Sequence, residues 1–323
     1  ALGYGLPVVA RLLRDQLGLG EIVERHCGRE AEDRAFVLVA HRLAQPGSEH
    51  ALGWWLEESY VAGRAGERVR VDWEPRGRVR VASRQLQKWY RTLDRLFAAK
   101  ESIERDIYLR LRDIFGVQVE LVFMDLTSTY FEGSGPEGLA RHGYSRDGRP
   151  RNRQVLVGVV MASGWPIASY VFEGHRADRS TVEEIVADVR SRFELGRVIW
   201  VADRGMVSQA ALAAMTEGQD RYLVGLQRRR NPTAQAVMSA AGGPWLALPE
   251  GGRVNEVRLE GDPVRYLVAR SPERLEYERR MRRQSMRRVR DQLSKVQQAV
   301  ARGRLKAPEK IGAKVGAILT TNH

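Results

Sequence analysis

The chain has 323 residues, enough for one large domain or two to three ordinary ones, and its 43% hydrophobic content supports a sizeable core. A formal net charge of +13 and a pI near 10.2 point to a polyanionic partner, most simply nucleic acid; the alternative is a basic protein whose charge is merely solvated. The only cysteine, Cys27, excludes an intrachain disulfide and fits a reducing cytoplasm, and neither a bilayer-spanning apolar run nor a signal peptide is visible.

The first residue is Ala1 rather than Met, so either a start Met has been removed or the numbering begins inside a longer chain. Residues 1 to about 115 read mainly helical. "LPVVARLLRDQLG" carries apolar residues at helical spacing and stops at Gly18, and "DRAFVLVAHRLAQPGS" repeats that logic up to Pro46-Gly47. "SRQLQKWYRTLDRLFAAKESIERDIYLRLRDIF" predicts one long amphipathic helix, reached through the basic, glycine-punctuated connection "GRAGERVRVDWEPRGRVRVA". Such a region serves either as scaffolding or as a DNA-binding module, and it contains no helix-turn-helix signature.

From Val117 the rhythm changes. "VQVELVFMDL" predicts a strand ending on Asp125, with Thr127, Ser128 and Thr129 as turn and cap groups after it. "RNRQVLVGVVMASGWPIASYVFEG" predicts two strands joined by a Ser163-Gly164 hairpin. "DRSTVEEIVADVRSRF" predicts a helix with the stripe Val182, Ile185, Val186, Val189 and Phe193, and a Ser180–Glu183 capping box. "GRVIWVADRG" predicts a strand ending on a second aspartate, Asp203; a helix from about Val207 and the strand "RYLVGL" follow. This order predicts an α/β fold, a mixed sheet covered by helices.

After Gln227, "RRRNPTAQAVMSAAGGPW" reads as basic loop, "GRVNEVRLEGDPVRYLVARS" as an antiparallel pair, and residues 272–303 as one long charged helix. "AKVGAILTT" reads as a strand returning to the sheet, so residues 228–312 look inserted. Residues 272–306 hold ten Arg and two Lys against Glu273, Glu276, Glu278 and Asp291, a net +8 of the chain's +13. Met286, Val289, Leu293, Val296 and Val300 form a heptad-like seam that wants one partner face. The guanidinium-rich stretch "ERRMRRQSMRRVR" suits phosphate, the alternative being a solvated helix face.

Asp125 and Asp203 therefore both stand at predicted strand ends, where ligands gather in α/β sheets. Taken alone, a strand-terminal Asp is commonly just a turn former; if their strands are neighbours in space, the two can serve as oxygen ligands of a hard cation. Three stretches decide between these: "MDLTSTYFEG"; "HGYSRDGRPRNRQVLVGVV" with "WPIASYVFEGHRADRSTV"; and "VIWVADRGMVS". In this order they resemble the DDE transposases of bacterial insertion sequences, in the branch whose RNase H-like catalytic domain is interrupted before the third acid. The likeness runs from about Val117 to Gln227 and resumes at "AKVGAILTTN", about half the chain.

The resemblance implies a helical N-terminal region over 1–115 and the first part of an RNase H-like core over 116–227. It implies an inserted β plus long-helix subdomain over 228–312 and a returning strand over 313–323. It makes Asp125 and Asp203 the first two catalytic acids and the ligands of Mg²⁺ (or Mn²⁺), with no small-molecule cofactor. It implies transposon-end and target DNA as partners, a homodimer on DNA, no membrane, and a cytoplasmic, nucleoid-associated location. Arg146, Arg149 and Arg151, crowded with Arg153 before the second strand, become a DNA-facing loop; Arg204 either holds phosphate or pairs with an acid. Arg279, Arg280, Arg282, Arg283, Arg287 and Arg288 become contacts of the long helix to DNA. The family's third acid, a glutamate, lies on a helix beyond the returning strand, so a chain ending at His323 is expected to be impaired. Glu260, Glu276 and Glu309 lie on the wrong side of that strand to replace it. The expected activity is metal-dependent cleavage and strand transfer at DNA ends; the alternative is a non-catalytic DNA-binding remnant.

Other chemistries find no support. The six histidines make no zinc-like spacing with Cys27, and Gly133, Gly135 and Gly138 precede no P-loop Lys-Ser/Thr. His175 reads as a loop histidine, Asp178 as a turn or cap residue, and Trp54-Trp55 as helix packing.

Overall fold

A computed structural model of the chain describes residues 2–63, 66–71, 73–76, 79–81, 83–116, 119–227, 231–249 and 251–321. Val117 and Gln118, the start of the predicted first strand, lie outside the described residues, as does the arginine run 228–230. Two compact units are formed, Ala1–Gly225 and Leu226–His323.

The first unit begins with four helices, α1 (Gly5–Gln16), α2 (Leu19–Cys27), α3 (Arg29–Ala44) and α4 (Glu49–Glu58). Gly18 takes φ +68° between α1 and α2, a left-handed turn that glycine adopts without a Cβ clash. A short antiparallel pair, β1 (Glu74–Arg76) and β2 (Val79–Val81), precedes α5 (Ser83–Ala98) and α6 (Lys100–Phe115). The single helix predicted over this last stretch is broken at Ala99. Its two halves serve different cores: Trp89 of α5 packs with Phe36, Leu52, Trp55 and Leu56, whereas Tyr108 of α6 packs under the sheet. No Pro or Gly marks that corner.

The sheet holds β3 (Leu121–Tyr130), β4 (Gln154–Ala162), β5 (Trp165–Glu173), β6 (Ile199–Ala202) and β7 (Arg221–Val224), in the order β5-β4-β3-β6-β7. The β5-β4-β3 half is antiparallel and the β3-β6-β7 half parallel. This is the mixed α/β sheet with flanking helices that the sequence predicts. Ser163 (φ +49°) and Gly164 (φ +84°) join β4 to β5 with the two left-handed residues of a type I′ turn. β3 does not stop at Asp125. It runs to Tyr130 in unbroken register with β4, so Thr127, Ser128 and Thr129 are ladder residues and not turn groups.

One face of the sheet is packed. Val122, Met124 and Leu126 of β3, Leu156 and Val160 of β4, and Trp200 of β6 meet the predicted stripe of α7 (Val182–Phe193), all five residues of it buried. α8 (Gln209–Thr216) adds Ala211 and Met215, and starts on Ser208, whose Oγ accepts the Ala211 N–H at 3.0 Å. The Ser180–Glu183 capping box is not formed: a 3₁₀ turn over Asp178–Ser180 precedes α7, the Ser180 hydroxyl donates to Ala177 O, and Thr181 takes the cap position.

A polar knot ties α6 and α7 to β5. Glu104 Oε1 accepts from the Ser169 N–H (3.0 Å) and hydroxyl (2.8 Å), and Oε2 accepts from Arg192 Nη1 (2.7 Å). Arg192 also reaches Asp188 and the Tyr170 oxygen, while the Tyr170 hydroxyl donates to Asp188. Burial, then the Asp188 carboxylate, push the Tyr170 phenol far above its ordinary value, so it stays a neutral donor.

The second unit holds α9 (Pro232–Ala240), β8 (Leu246–Ala247), β9 (Arg253–Arg258) and β10 (Arg265–Arg270), then α10 (Pro272–Ala301) and α11 (Pro308–Thr321). The antiparallel pair is as predicted, with β8 added on the far side of β9. Two predictions fail. The stretch after Asn231, read as loop, is helix α9; the Asn231 side chain caps the Ala234 N–H and Pro232 fills the first turn, where no donor is needed. "AKVGAILTT", read as a returning strand over 313–323, lies in helix α11 as far as Thr321. Ile311, Val315 and Ile318 recur at helical spacing and are half-buried in a segment that packs with α10. Helical spacing and alanine content outweigh the β-branched residues there.

Arg192 is the joint of the polar knot, and removing one partner strands the others. Arg192→Ala is expected to lower unfolding free energy by about 3 kcal/mol, read from urea melts of the full chain.

Candidate active site

The parallel ladder between β3 and β6 runs Leu121↔Ile199, Val122↔Trp200, Phe123↔Val201 and Met124↔Ala202. The next position in each strand is an aspartate, Asp125 and Asp203. Strand alternation fixes where they point. Met124 and Ala202 are buried in the core, so the residues after them emerge on the opposite face, and both aspartates are exposed. Neighbouring strands lie about 4.8 Å apart, which makes the two backbone positions neighbours across the ladder. Asp125 is held at mid-strand opposite Val159 of β4. Asp203 terminates its strand, and its Oδ1 accepts the Arg204 N–H at 2.7 Å, fixing the side chain at the head of a 3₁₀ turn over Arg204–Met206.

Much of the face around the pair is apolar. Phe123 (43% exposed), Leu223 (49%), Leu121 and Val171 are open on it, with Val157, Val159 and Val201 half-buried between them. Thr127, Thr129 and Arg221 are exposed on the same face, so the aspartates stand on a mixed surface with a large apolar share.

Beyond Ala202, β6 is gone and the corresponding edge of β3 continues alone. The Ile199 N–H donates to Glu120 O across this edge, so Leu126 and Ser128, of the same parity, direct their backbone groups to the side β6 has vacated. Arg146 fills that notch. Its guanidinium donates to Leu126 O and pairs with Asp178 at 2.5 Å, and its N–H donates to Ser128 Oγ at 3.1 Å. Arg146, predicted to face DNA, is exposed and at the same time tied to β3, and Asp178, predicted as a turn or cap residue, is its counterion.

The other predicted arginines are surface groups. Arg149, Arg151 and Arg204 are exposed, with Arg149 reaching over the Tyr130 ring at 5.9 Å. Arg279, Arg280, Arg282, Arg283, Arg287 and Arg288 are exposed on α10, a helix in which no residue is fully buried. At 100° per residue Arg279, Arg280, Arg283, Arg287 and Arg290 share one stripe of that helix. Arg280 lies 5.7 Å from the Tyr277 ring centroid.

Sequence reasoning missed two glycines. A Cβ on Gly225 would lie 3.0 Å from the Arg204 nitrogen, and one on Gly205 would lie 3.3 Å from Asp178 Oδ2. Both let the Asp203 turn sit close to its neighbours. A glycine closing the strand "RYLVG" is the available signal for such an approach. The Arg146–Asp178 pair, 32 residues apart in sequence, leaves no local signal.

Among the described residues no group of three or more His, Cys, Asp and Glu side chains is arranged to hold a metal ion.

No protein-family model matches the chain, and no curated protein sequence matches it. Among solved structures it is similar to the piggyBac transposase synaptic complex with hairpin DNA, at 12% identity over 81% of this chain and 60% of that one, with a TM-score of 0.33. It is similar to the Mos1 transposase paired-end complex with left transposon end, at 13% identity over 60% of this chain and 58% of that one, with a TM-score of 0.25. The catalytic domain of Mos1 mariner transposase is matched at 9% identity, 42% and 62% coverage and a TM-score of 0.23. The chain thus spans about three-fifths of the length of each of these proteins. Likeness at this level assigns no role to any residue.

Removing the Arg146 strut unfastens the notch. Arg146→Ala is expected to speed hydrogen exchange at the amides of 144–149 at least tenfold over wild type, with β4 unchanged, read by exchange mass spectrometry.

Proposed function

We propose that this chain is a DDE-type transposase, of the kind found in bacterial insertion sequences, acting by metal-dependent cleavage and strand transfer at DNA ends. The observation that carries this reading is the pair Asp125–Asp203, exposed at consecutive register on adjacent parallel strands. Two hard oxygen donors one strand spacing apart suit Mg²⁺ (or Mn²⁺), which binds proteins through one or two carboxylates and completes its shell with water and substrate phosphate. When bound, such an ion activates an attacking oxygen and stabilises a leaving one.

The chain's own groups position the reaction. The Arg204 N–H holds Asp203 in one rotamer, and the ladder on both sides of β3 holds Asp125. Arg149, Arg151 and Arg204 neutralise phosphate beside the pair. Arg146 acts on the site indirectly, by keeping the loop that carries Arg149 and Arg151 in place. The guanidinium stripe of α10 binds the duplex backbone without reading its sequence, and the protein works on DNA as a homodimer.

A second reading, a DNA-binding protein without catalysis, is favoured by one observation: the aspartates form a pair and no third protein ligand joins them among the described residues. Two measurements separate the readings. Asp125→Asn or Asp203→Asn is expected to cut Mg²⁺-dependent nicking of DNA ends by about 10³-fold while leaving duplex affinity within twofold. Nicking that survives both changes sinks the catalytic reading, and duplex binding with no nicking by the unaltered chain supports the second. Replacing Arg279, Arg283, Arg287 and Arg290 together by Ala is expected to make the salt dependence of duplex binding shallower by about 3–4 in log–log slope. An unchanged slope removes α10 from the DNA interface.

A further inference from the structure

The notch beside Asp203 opens into a cavity of about 290 Å³, lined by Ser128, Tyr144, Arg176, Asp178, Arg179 and Gly205 among others. Its walls are closely packed. A Cβ on Gly143 would overlap the Gly174 carbonyl, and one on Gly174 would overlap the Gln154 carbonyl, so the 141–144 and 174–175 segments are in direct backbone contact. Gln154 is fully buried and its Nε2 donates to Arg149 O (3.0 Å) and Asn152 O (2.9 Å), pinning the loop between Arg141 and Gln154 from beneath. Out of this fixed loop Tyr144 projects with 81% of its surface exposed. A large aromatic ring left 81% exposed on a loop pinned by Gln154 is unusual, since burial of such a ring is favourable.

The charge in the cavity is sorted. Asp178 is neutralised by Arg146, and Arg176 is paired with Glu184 at 2.9 Å while donating to Ser180 O and lying over the Phe172 ring. Arg179, exposed at the rim, supplies the uncompensated positive charge. An open aromatic face beside a guanidinium selects a flat π-system carrying a phosphate, and the volume admits one nucleotide but no duplex. Gly205, on the cavity wall, is two residues from Asp203.

Resting on the DNA-end reading of the aspartate pair, we propose that this cavity holds one unpaired nucleotide adjoining a duplex end, its base stacked on Tyr144 and its phosphate against Arg179. A strand end held there makes no contact through its base edges, so the site tolerates any base.

The test is equilibrium binding of the full chain, without divalent metal, to duplexes that are blunt or carry a short single-stranded extension, 3′ and 5′ in separate arms, with 2-aminopurine as the first unpaired base. At least one extension is expected to bind about tenfold tighter than the blunt duplex and to lose 2-aminopurine fluorescence on binding. Tyr144→Phe is expected to keep that preference, Tyr144→Ala to abolish it while leaving blunt-duplex affinity unchanged, and Arg179→Ala to reduce it. Equal affinity for all three duplexes, or a preference that survives Tyr144→Ala, overturns the inference while the DNA reading stands. Binding to none of them removes both.

Discussion

The in-register parallel pairing of β3 with β6 is the constraint on which the site depends. A slip of one residue would turn Asp203 into the core and bury a carboxylate among apolar side chains, because side chains alternate faces with a period of two. The register is enforced from the packed side. Val122, Met124, Trp200 and Ala202 are all buried there, and Trp200 is further fixed by its Nε1–H donating to Asp220 Oδ2 at 3.0 Å. Asp220 in turn accepts the Val198 N–H and the Arg190 guanidinium, so the strand carrying Asp203 is held at its start as well as along its length. The chemistry on one face is thus positioned by hydrophobic burial on the other.

The unequal lengths of β3 and β6 produce the second feature of the site. A sheet in which both strands ended together would present the aspartates on a flat rim. Because β3 runs on alone, it leaves an unpaired edge that some other group must satisfy, and Arg146 supplies the donors. Its counterion Asp178 brings the segment before α7 to the same place. Arg146 thus joins the notch and the loop with Tyr144 to Asp178, and the Asp203 turn comes close to that carboxylate at Gly205.

Much of the sheet domain was legible in the sequence. Alternation marked β4 and β5, Ser163-Gly164 marked the turn between them, and the α7 stripe identified the face that packs. Both aspartates were identified by residue type and by their place after apolar runs. What escaped was set by tertiary context. β3 looked finished at Asp125 because hydroxyl residues read as turn formers, yet β4 supplies a partner through Tyr130. Ser180 and Glu183 have capping-box spacing, but the chain enters α7 through a tighter turn that uses Thr181. The segment ending at Thr321 is β-branched enough to read as strand and is helical against α10. The break at Ala99 has no punctuation because it reflects a change of core, which no local pattern records. The tether that holds Arg146 escaped for the same reason: its acceptors lie 20 and 32 residues away.

The largely apolar surround of the aspartates has an electrostatic consequence. In bulk water two neighbouring carboxylates repel only weakly, and the open sheet face keeps them wet. Any body that comes down on Phe123, Leu223 and Val171 drives that water out, lowers the local dielectric and multiplies the repulsion several-fold. Covering the face and recruiting a counter-ion are then thermodynamically linked: each makes the other more favourable, and neither partner alone has the full affinity. A partner seated on this surface would therefore raise the mutual repulsion of the two carboxylates.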